Sequence, residues 1–232
     1  MILIIKHAEI EGLGTLGDFF KETAWEIETV ELWDNVLLPK LNDCEAIISL
    51  GGPMNVYETD RHPFLKMEED FLRNALRKKV PVLGICLGAQ LLAKVAGAEV
   101  KKSEQSEIGW YNVELSGAGK DDLLFKGINT TLEVFQWHED TFEVPPEGVL
   151  LATSSLCKNQ AFRVGECAWG VQFHPEMTSW MLESWLDASN GQIDKNKLMV
   201  SYYKKSQSYN KQARIMYLNF AGVVAKYSPA KI

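Results

Sequence analysis

The sequence predicts an α/β fold, a three-layer sandwich in which helices cover both faces of a mostly parallel sheet. Three observations predict it. Short apolar runs alternate with longer helical patterns through the first hundred residues, and this alternation is typical of βαβ units and a parallel sheet. An apolar strand runs directly into an apolar helix at Cys86. Apolar residues make up 46% of the 232 residues, which is enough for a core between the layers.

The elements of the first half follow one another in the order that βαβ units require. Strands are predicted from runs of consecutive apolar residues, and helices from apolar side chains at spacings of three and four, such as Leu16, Phe19 and Phe20. Strands are predicted over 2–6, 27–32, 46–50 and 80–85, and helices over 16–25, 64–78 and 87–96. Gly97 ends the last of these helices.

The second half of the chain has a different pattern of polar and apolar residues. Alternating polar and apolar residues predict strands with short connections over 110–115, 130–136, 149–152, 160–164 and 168–173. A helical C-terminal extension is predicted from about Thr178, ending in an apolar helix over 215–225. The polar stretch 190–205 fits either a loop or a poorly packed helix. With no repeat and no linker composition, we expect a single domain over 1–232.

Composition excludes several classes of protein. The chain has 31 acidic and 24 basic side chains and a net charge of −7, which argues against binding to nucleic acids or anionic membranes. Its four cysteines form neither a CxxC pair nor a dense framework, so a disulfide scaffold is not expected. No apolar run approaches the roughly 20 residues of a membrane span. We therefore expect a soluble, cytoplasmic protein.

The junction at Cys86 has the pattern of a nucleophile elbow. Gly84 and Gly88 stand two residues on either side of Cys86, as in the G-x-nucleophile-x-G turn between a strand and a helix. Glycines leave room for neighbouring backbone at this sharp turn, and the N–H of Leu87 is expected to face a developing oxyanion. The other three cysteines lack this setting and are expected to be structural.

A cysteine nucleophile needs a base, and His174 is the best candidate among four histidines. It follows a predicted buried strand and precedes Pro175. Glu176, two residues beyond, is close enough to accept a hydrogen bond from the imidazole and to hold one tautomer. Cys86, His174 and Glu176 are therefore the predicted catalytic residues.

Three motifs together resemble a known family. The stretches 84–90 (Gly-Ile-Cys-Leu-Gly-Ala-Gln), 172–176 (Gln-Phe-His-Pro-Glu) and 49–53 (Ser-Leu-Gly-Gly-Pro) resemble the class I (triad) glutamine amidotransferases, in particular the amidotransferase domain of GMP synthase and its stand-alone relatives. The resemblance implies a flavodoxin-like fold and a Cys-His-Glu triad that hydrolyses the side-chain amide of glutamine through a γ-glutamyl thioester. It implies an oxyanion hole from the N–H groups of Gly52 and Leu87, and no cofactor or metal.

The resemblance also implies substrate-binding residues. Gln90 matches a family position that contacts the substrate, and residues 137–140 match a loop that recognises the α-amino and carboxylate groups of glutamine. These four residues are Trp137, His138, Glu139 and Asp140. GMP synthases usually have Ser-His-Gly-Asp there, so Glu139 stands where the family has a glycine, which would alter the approach of the backbone to a ligand.

A second motif has the pattern of a dinucleotide-binding site. Gly12, Gly14 and Gly17 match G-x-G-x-x-G after the first strand, with Glu31 placed as in dinucleotide-binding folds. However, residues 7–11 separate the strand from the first glycine, whereas the tight turn needs that glycine at the strand end. We interpret the stretch as a flexible loop near the rim of the active site.

Three functions remain open. The first is a glutaminase whose ammonia serves a separate ATP-dependent synthetase, because the GMP synthase family fuses or pairs such a half. The second is a stand-alone γ-glutamyl peptidase or hydrolase that uses the same thioester chemistry. The third is a non-enzymatic regulatory homologue, against which the presence of all three triad residues argues.

Overall fold

The computed structural model describes residues 1–34, 36–189, 191 and 193–227, with nine strands in one sheet and six helices over these residues. The strands are β1 (Ile2–Lys6), β2 (Ile27–Glu31), β3 (Ala46–Ser49), β4 (Val82–Ile85), β5 (Val100–Leu115), β6 (Thr131–Phe142), β7 (Gly148–Thr153), β8 (Ala161–Val164) and β9 (Ala168–Val171). The helices are α1 (Gly14–Lys21), α2 (Phe64–Arg77), α3 (Leu87–Val95), α4 (Gly117–Asp121), α5 (Ser179–Ala188) and α6 (Lys195–Tyr227).

The first part of the sheet is parallel and holds the predicted βαβ units. Its strand order is β2-β1-β3-β4-β9, and every neighbouring pair is parallel. β1, β3, β4 and β9 are buried along their whole length, as expected for strands that are covered on both faces. The predicted α/β fold around this sheet is confirmed.

The second part of the sheet is antiparallel and continues from β9 through β8, β7, β5 and β6. β5 and β6 form a long ribbon whose register shifts between Lys102 and Glu107. The sequence predicted only the last six of the sixteen residues of β5 and the first half of β6. The start of β5 was missed because the polar stretch from Lys101 to Glu107 lacks the alternation that marks a half-buried strand.

Helices cover both faces of the sheet and form the outer layers. On one face, α1 and α6 pack on a core that includes Phe19, Trp169 and Phe220. On the other face, α2 and α3 pack on a core that includes Leu72 and Leu91. The carboxyl ends of the parallel strands lie between these layers, which is where ligands bind in open α/β sheets.

The C-terminal part is helical from Ser179, close to the predicted start. The stretch 190–205, for which the sequence allowed a loop or a helix, is helical from Lys195 as part of the 33-residue helix α6; Asn190 and Gln192 lie outside the described residues. Tyr202 and Tyr209 bury their rings with Phe135 and Trp185 in a third apolar cluster. Over the part of the chain that is described, no helix is both long and apolar enough to cross a membrane.

Candidate active site

Cys86 occupies the turn between β4 and α3 in a backbone conformation that side chains seldom adopt. Its φ is 51° and its ψ is −107°. A Cβ at Gly84 would lie 2.5 Å from the carbonyl oxygen of Gly88, and a Cβ at Gly88 would lie 2.1 Å from that of Ser49. Both glycines are therefore required by close backbone approach, for the reason that the sequence pattern suggested.

Two backbone hydrogen bonds bring His174 beside Cys86. The N–H of Cys86 donates to the carbonyl of Val171, at the end of the neighbouring strand β9, at 2.8 Å. Three residues later, the N–H of His174 donates to the carbonyl of Phe135 in β6 at 2.9 Å. The cysteine and the histidine thus come from the carboxyl ends of adjacent parallel strands, although they are far apart in the sequence.

Glu176 pairs with the imidazole of His174 in a buried setting. The Nδ1 atom of His174 lies 2.7 Å from Oε1 of Glu176, and both side chains are at most 2% exposed. Burial by itself lowers the pKa of His174. Glu176 and then Cys86 raise it by more than burial lowers it, so the pKa lies well above its ordinary value. The ring also packs edge-on against Trp185, with centroids 4.9 Å apart. Such an imidazole can hold a proton taken from a neighbouring thiol.

Gly51, Gly52 and Leu87 border the same site. A Cβ at Gly51 would lie 2.9 Å from Cε1 of His174 and 3.7 Å from Cβ of Cys86. Within the described parts of the chain, the N–H groups of Gly52 and Leu87 have no hydrogen-bond acceptor. Two free N–H groups beside a cysteine are what an oxyanion hole requires.

A cavity of about 310 Å³ opens over Cys86 and His174. Its wall is mainly apolar and aromatic, and two carboxylates, those of Glu11 and Glu139, also line it. The lining residues are Ile10, Glu11, Gly52, Pro53, Cys86, Ile108, Trp137, Glu139, His174, Trp185, Ala188, Ser189 and Ile193. A concave, largely apolar pocket with a few converging polar groups is typical of a small-molecule site.

The five predicted substrate-binding residues divide into two groups. Trp137 and Glu139 line the cavity, whereas Gln90, His138 and Asp140 are buried behind its wall. The expectation of a loop over 137–140 was wrong, because these residues belong to β6, where alternate side chains point to opposite faces. The role of all five in substrate binding stays a prediction.

The buried members of that set hydrogen-bond to one another and to Gln172. Nε2 of Gln90 donates to the carbonyl of Asp140 at 3.3 Å and to Oε1 of Gln172 at 3.2 Å. Gln172 in turn directs its Nε2 at the sulfur of Cys86, at 3.6 Å. Sequence reasoning placed Gln172 within a motif but gave it no role.

Glu11 is a second residue that sequence reasoning missed. It is buried, and its Oε2 atom has no hydrogen-bond partner among the described residues. Burial raises its pKa to about 7, against the lowering influence of His174. The signal available was its place in the connection that follows β1, beyond the edge where parallel strands present functional side chains.

The glycine-rich stretch 12–17 is not the flexible loop that the sequence suggested, because helix α1 begins at Gly14 and packs against the segment that carries His174. Gly14 has a φ of +49°, and a Cβ there would lie 1.8 Å from the carbonyl oxygen of Glu176. The N–H of Thr15 donates to that same carbonyl at 3.0 Å. Gly14 is thus required by close approach to the chain beside Glu176, and Ile10 and Glu11 place the preceding loop at the rim of the cavity.

Glu107, His138 and Cys157 are a group whose residue types could hold a metal ion. Their ligand atoms lie within 4.8 Å of one another. Nε2 of His138 already lies 2.9 Å from Glu107, whose same oxygen also accepts from Gln160 at 2.6 Å, and Cys157 contacts Thr141 at 3.2 Å. Because each atom has a protein partner, the group forms a satisfied polar network that explains its own burial.

Comparison with known proteins identifies the class to which this fold and site belong. The family described as "Glutamine amidotransferase class-I" matches residues 6–184. A glutamine amidotransferase from Thermotoga maritima is 35% identical, with a TM-score of 0.87 over 94% of this chain and 96% of that one. One from Methylobacillus flagellatus has the same TM-score at 29% identity over 95% and 94%. The chain belongs to the class I glutamine amidotransferase family.

Individual relatives include both single subunits and longer enzymes. The chain is 33% identical to a glutamine-hydrolyzing GMP synthase subunit of Sulfolobus acidocaldarius over 65% of its length and 77% of the relative's. It is 26% identical to the glutamine amidotransferase-like protein YfeJ of Salmonella typhimurium over 82% and 81%. Against the glutamine-hydrolyzing GMP synthase of Porphyromonas gingivalis, at 37% identity, it spans only 27% of the relative.

Proposed function

We propose that this protein hydrolyses the side-chain amide of glutamine and releases ammonia. One observation carries the proposal: a cysteine in a strained strand-to-helix turn lies beside a buried His174–Glu176 pair at the base of a cavity. Nucleophile, base and orienting carboxylate are the three groups that acyl transfer to a thiol needs.

The reaction assigns each group a step. The sulfur of Cys86 attacks the γ-carbonyl carbon of the substrate while its proton passes to His174, which Glu176 holds in one orientation. The carbonyl oxygen becomes an oxyanion that accepts hydrogen bonds from the N–H groups of Gly52 and Leu87. When the tetrahedral intermediate collapses, the C–N bond breaks and His174 returns the proton to the leaving ammonia. Water then hydrolyses the γ-glutamyl thioester to glutamate.

The nucleophile can be tested by a matched pair of cysteine variants. Cys86→Ser should lower kcat for glutamine by at least ~10³-fold, because the hydroxyl is a poorer nucleophile in a site arranged around a thiol. Cys167→Ser is the control, since Cys167 is similarly buried but its thiol donates to the carbonyl of Lys79 and does not line the cavity. An electrophilic glutamine analogue should label Cys86 alone. Undiminished ammonia release by Cys86→Ser would exclude the assignment.

A second candidate is hydrolysis of a γ-glutamyl compound with an organic amine part. The apolar side of the cavity, formed by Ile10, Ile108 and Trp185, favours it, because ammonia makes no use of such a wall. Purified protein should be assayed on glutamine and on γ-glutamyl dipeptides under the same conditions. A higher kcat/KM on dipeptides would favour the second candidate, and a higher one on glutamine the first.

The ammonia of the first candidate requires an acceptor reaction. We propose that an ATP-dependent synthetase subunit consumes it, which is supported by the similarity to the Sulfolobus acidocaldarius GMP synthase subunit. Adding such a synthetase should stimulate glutamine hydrolysis, and affinity purification should recover the pair. Full glutaminase activity without any stimulation would count against a dedicated partner.

A further inference from the structure

A buried polar network lies directly behind the Gly51–Gly52 loop. It consists of His7 at the start of the β1–α1 connection, Ser49 at the end of β3 and Glu68 in α2. The side chains of His7 and Glu68 are 0% exposed, and Ser49 is likewise fully buried. Burying a histidine and a glutamate together destabilises the fold unless their polar atoms are paired. The hydrogen bonds of the network must therefore offset the cost of burial.

The hydrogen bonds of His7 have a defined direction. Its Nδ1 atom lies 2.9 Å from the carbonyl oxygen of Gly51, and because a carbonyl can only accept, Nδ1 must carry the proton. Its Nε2 atom lies 2.6 Å from Oε2 of Glu68. Ser49 donates to the other oxygen of Glu68 at 2.7 Å. Glu68, itself held by Ser49, thus fixes the imidazole so that its Nδ1–H is aimed at Gly51.

The carbonyl of Gly51 and the N–H of Gly52 belong to one peptide unit. Because no cis peptide bond occurs among the described residues, the two groups point in opposite directions from a planar unit. A hydrogen bond that fixes the carbonyl therefore also fixes the N–H. Glycines on both sides leave this peptide free to rotate otherwise, so an external restraint decides where the N–H points.

We propose that His7, held by Glu68 and Ser49, is a positioning residue that aims the N–H of Gly52 at the oxyanion formed when Cys86 attacks. The inference rests on the proposed amide hydrolysis, and it adds three residues outside the triad to that reaction. A hydrogen bond to the carbonyl also polarises the peptide and strengthens its N–H as a donor. The contribution is made mainly in the transition state, when the charge develops on the oxygen.

Two substitutions of His7 test the roles of its two ring nitrogens one at a time. The amide nitrogen of asparagine can replace Nδ1 and still donate to Gly51, whereas glutamine reaches the place of Nε2 and contacts only Glu68. His7→Gln should lower kcat about 10²–10³-fold with KM changed less than about threefold, as for loss of one oxyanion donor. His7→Asn should retain kcat within about tenfold of the unmodified protein. Ser49→Ala, which removes a single bond to Glu68, should lower kcat severalfold.

Two further measurements distinguish positioning from general damage to the site. Alkylation of Cys86 by iodoacetamide passes through no oxyanion, so its rate constant should be unchanged in all variants. An aldehyde analogue of glutamine forms a tetrahedral adduct with the thiol, and its affinity should fall by the same factor as kcat. Equal losses in alkylation and in kcat, or an undiminished kcat in His7→Gln, would overturn the proposal.

Failure of the positioning role can be distinguished from failure of the proposed function. If the unmodified protein turns over no γ-glutamyl amide, the proposed function itself fails. If it is active while the variants of His7 and Ser49 keep its kcat, only the positioning role fails. Should His7→Gln not fold, Ser49→Ala decides the question, because removal of one hydroxyl leaves the packing of the histidine in place.

Discussion

At the scale of single residues, the site combines groups whose pKa values are shifted by burial and by neighbouring charges. His174 has a raised pKa because Glu176 and Cys86 outweigh the burial that lowers it. Glu11, on the same cavity wall, has a raised pKa because burial disfavours its charged form. Burial raises the pKa of Glu11 and lowers that of His174, and both side chains line one pocket. Titratable groups with shifted pKa values are common in catalytic sites.

Glu11 leads to a prediction about stability and pH. Its pKa is about 7 in the folded protein against 4.5 as the ordinary value, so the folded state holds the proton more tightly than the unfolded state does. Stability should therefore fall as pH rises from about 4.5 through 7. The free energy of unfolding of wild type relative to Glu11→Gln should decrease by up to ~3 kcal/mol between pH 4.5 and pH 8.

The measurement is urea unfolding of both proteins at several pH values. Glu9→Gln serves as the control, because Glu9 is an exposed neighbour, and this variant should match wild type within about 0.5 kcal/mol throughout. A difference between wild type and Glu11→Gln that stays constant with pH would show that the carboxyl of Glu11 keeps an ordinary affinity for protons.

At the scale of secondary-structure elements, the position of Cys86 depends on how closely α3 approaches its neighbours. The first turn of α3 lies against the end of β3, and the N–H of Gly88 donates to the carbonyl of Leu50 at 3.1 Å. This contact holds the helix start between β3 and β4. This close approach of the backbones constrains the position of Cys86 relative to the Gly51–Gly52 loop.

Two glycines, both within helices, give a matched test of this closeness. Gly88→Ala should destabilise the protein by about 3 kcal/mol, because the new methyl group would meet the carbonyl of Ser49 at 2.1 Å. Gly222→Ala, within α6 with nothing within 4 Å, should stabilise it by about 0.5–1 kcal/mol. Chemical unfolding measures both, and equal effects of the two substitutions would contradict the packing argument.

At the scale of the whole molecule, the C-terminal helix α6 reaches the candidate active site from the outer layer. Tyr209 donates to the carbonyl of His174, and its hydroxyl accepts from the N–H of Met177 at 3.0 Å. Tyr217, two turns later, contacts Thr15 at 3.0 Å, next to the same segment. The helix therefore supports the strand-to-loop segment that carries His174 and Glu176 and ties it to α1.

Removal of the Tyr209 hydroxyl should disturb both stability and activity. Tyr209→Phe leaves the buried carbonyl of His174 and the N–H of Met177 unpaired, which should cost about 1–3 kcal/mol of unfolding free energy. We also expect kcat to fall, because the backbone of His174 loses one of its restraints. Tyr203→Phe, whose side chain is 66% exposed, should change neither quantity. Thermal melts and steady-state kinetics should be measured for both variants. If Tyr209→Phe has the same melting temperature and kcat as Tyr203→Phe, α6 does not restrain the segment that carries His174.

Much of the fold, and the turn that carries Cys86, followed from the sequence. The apolar strands β1, β3 and β4 were predicted within two residues of their observed ends because parallel strands buried on both faces need unbroken apolar runs. The cysteine turn followed from the spacing of Gly84 and Gly88, since only glycine fits where backbones approach so closely. These are local requirements, and a single chain segment displays them.

Tertiary structure alone decided which polar residues meet outside the predicted Cys86, His174 and Glu176. His7, Ser49 and Glu68 come from separate elements and converge behind Gly51 only through the stacking of β1, β3 and α2. Likewise, pleating of β6 turns Trp137 and Glu139 toward the cavity and His138 away from it, although all three are adjacent in the sequence. The sequence by itself determined the class of fold and the candidate nucleophile with its base. The rest depended on hydrogen bonds between distant segments, which have no local signature, because their energy depends on burial that the assembled layers create.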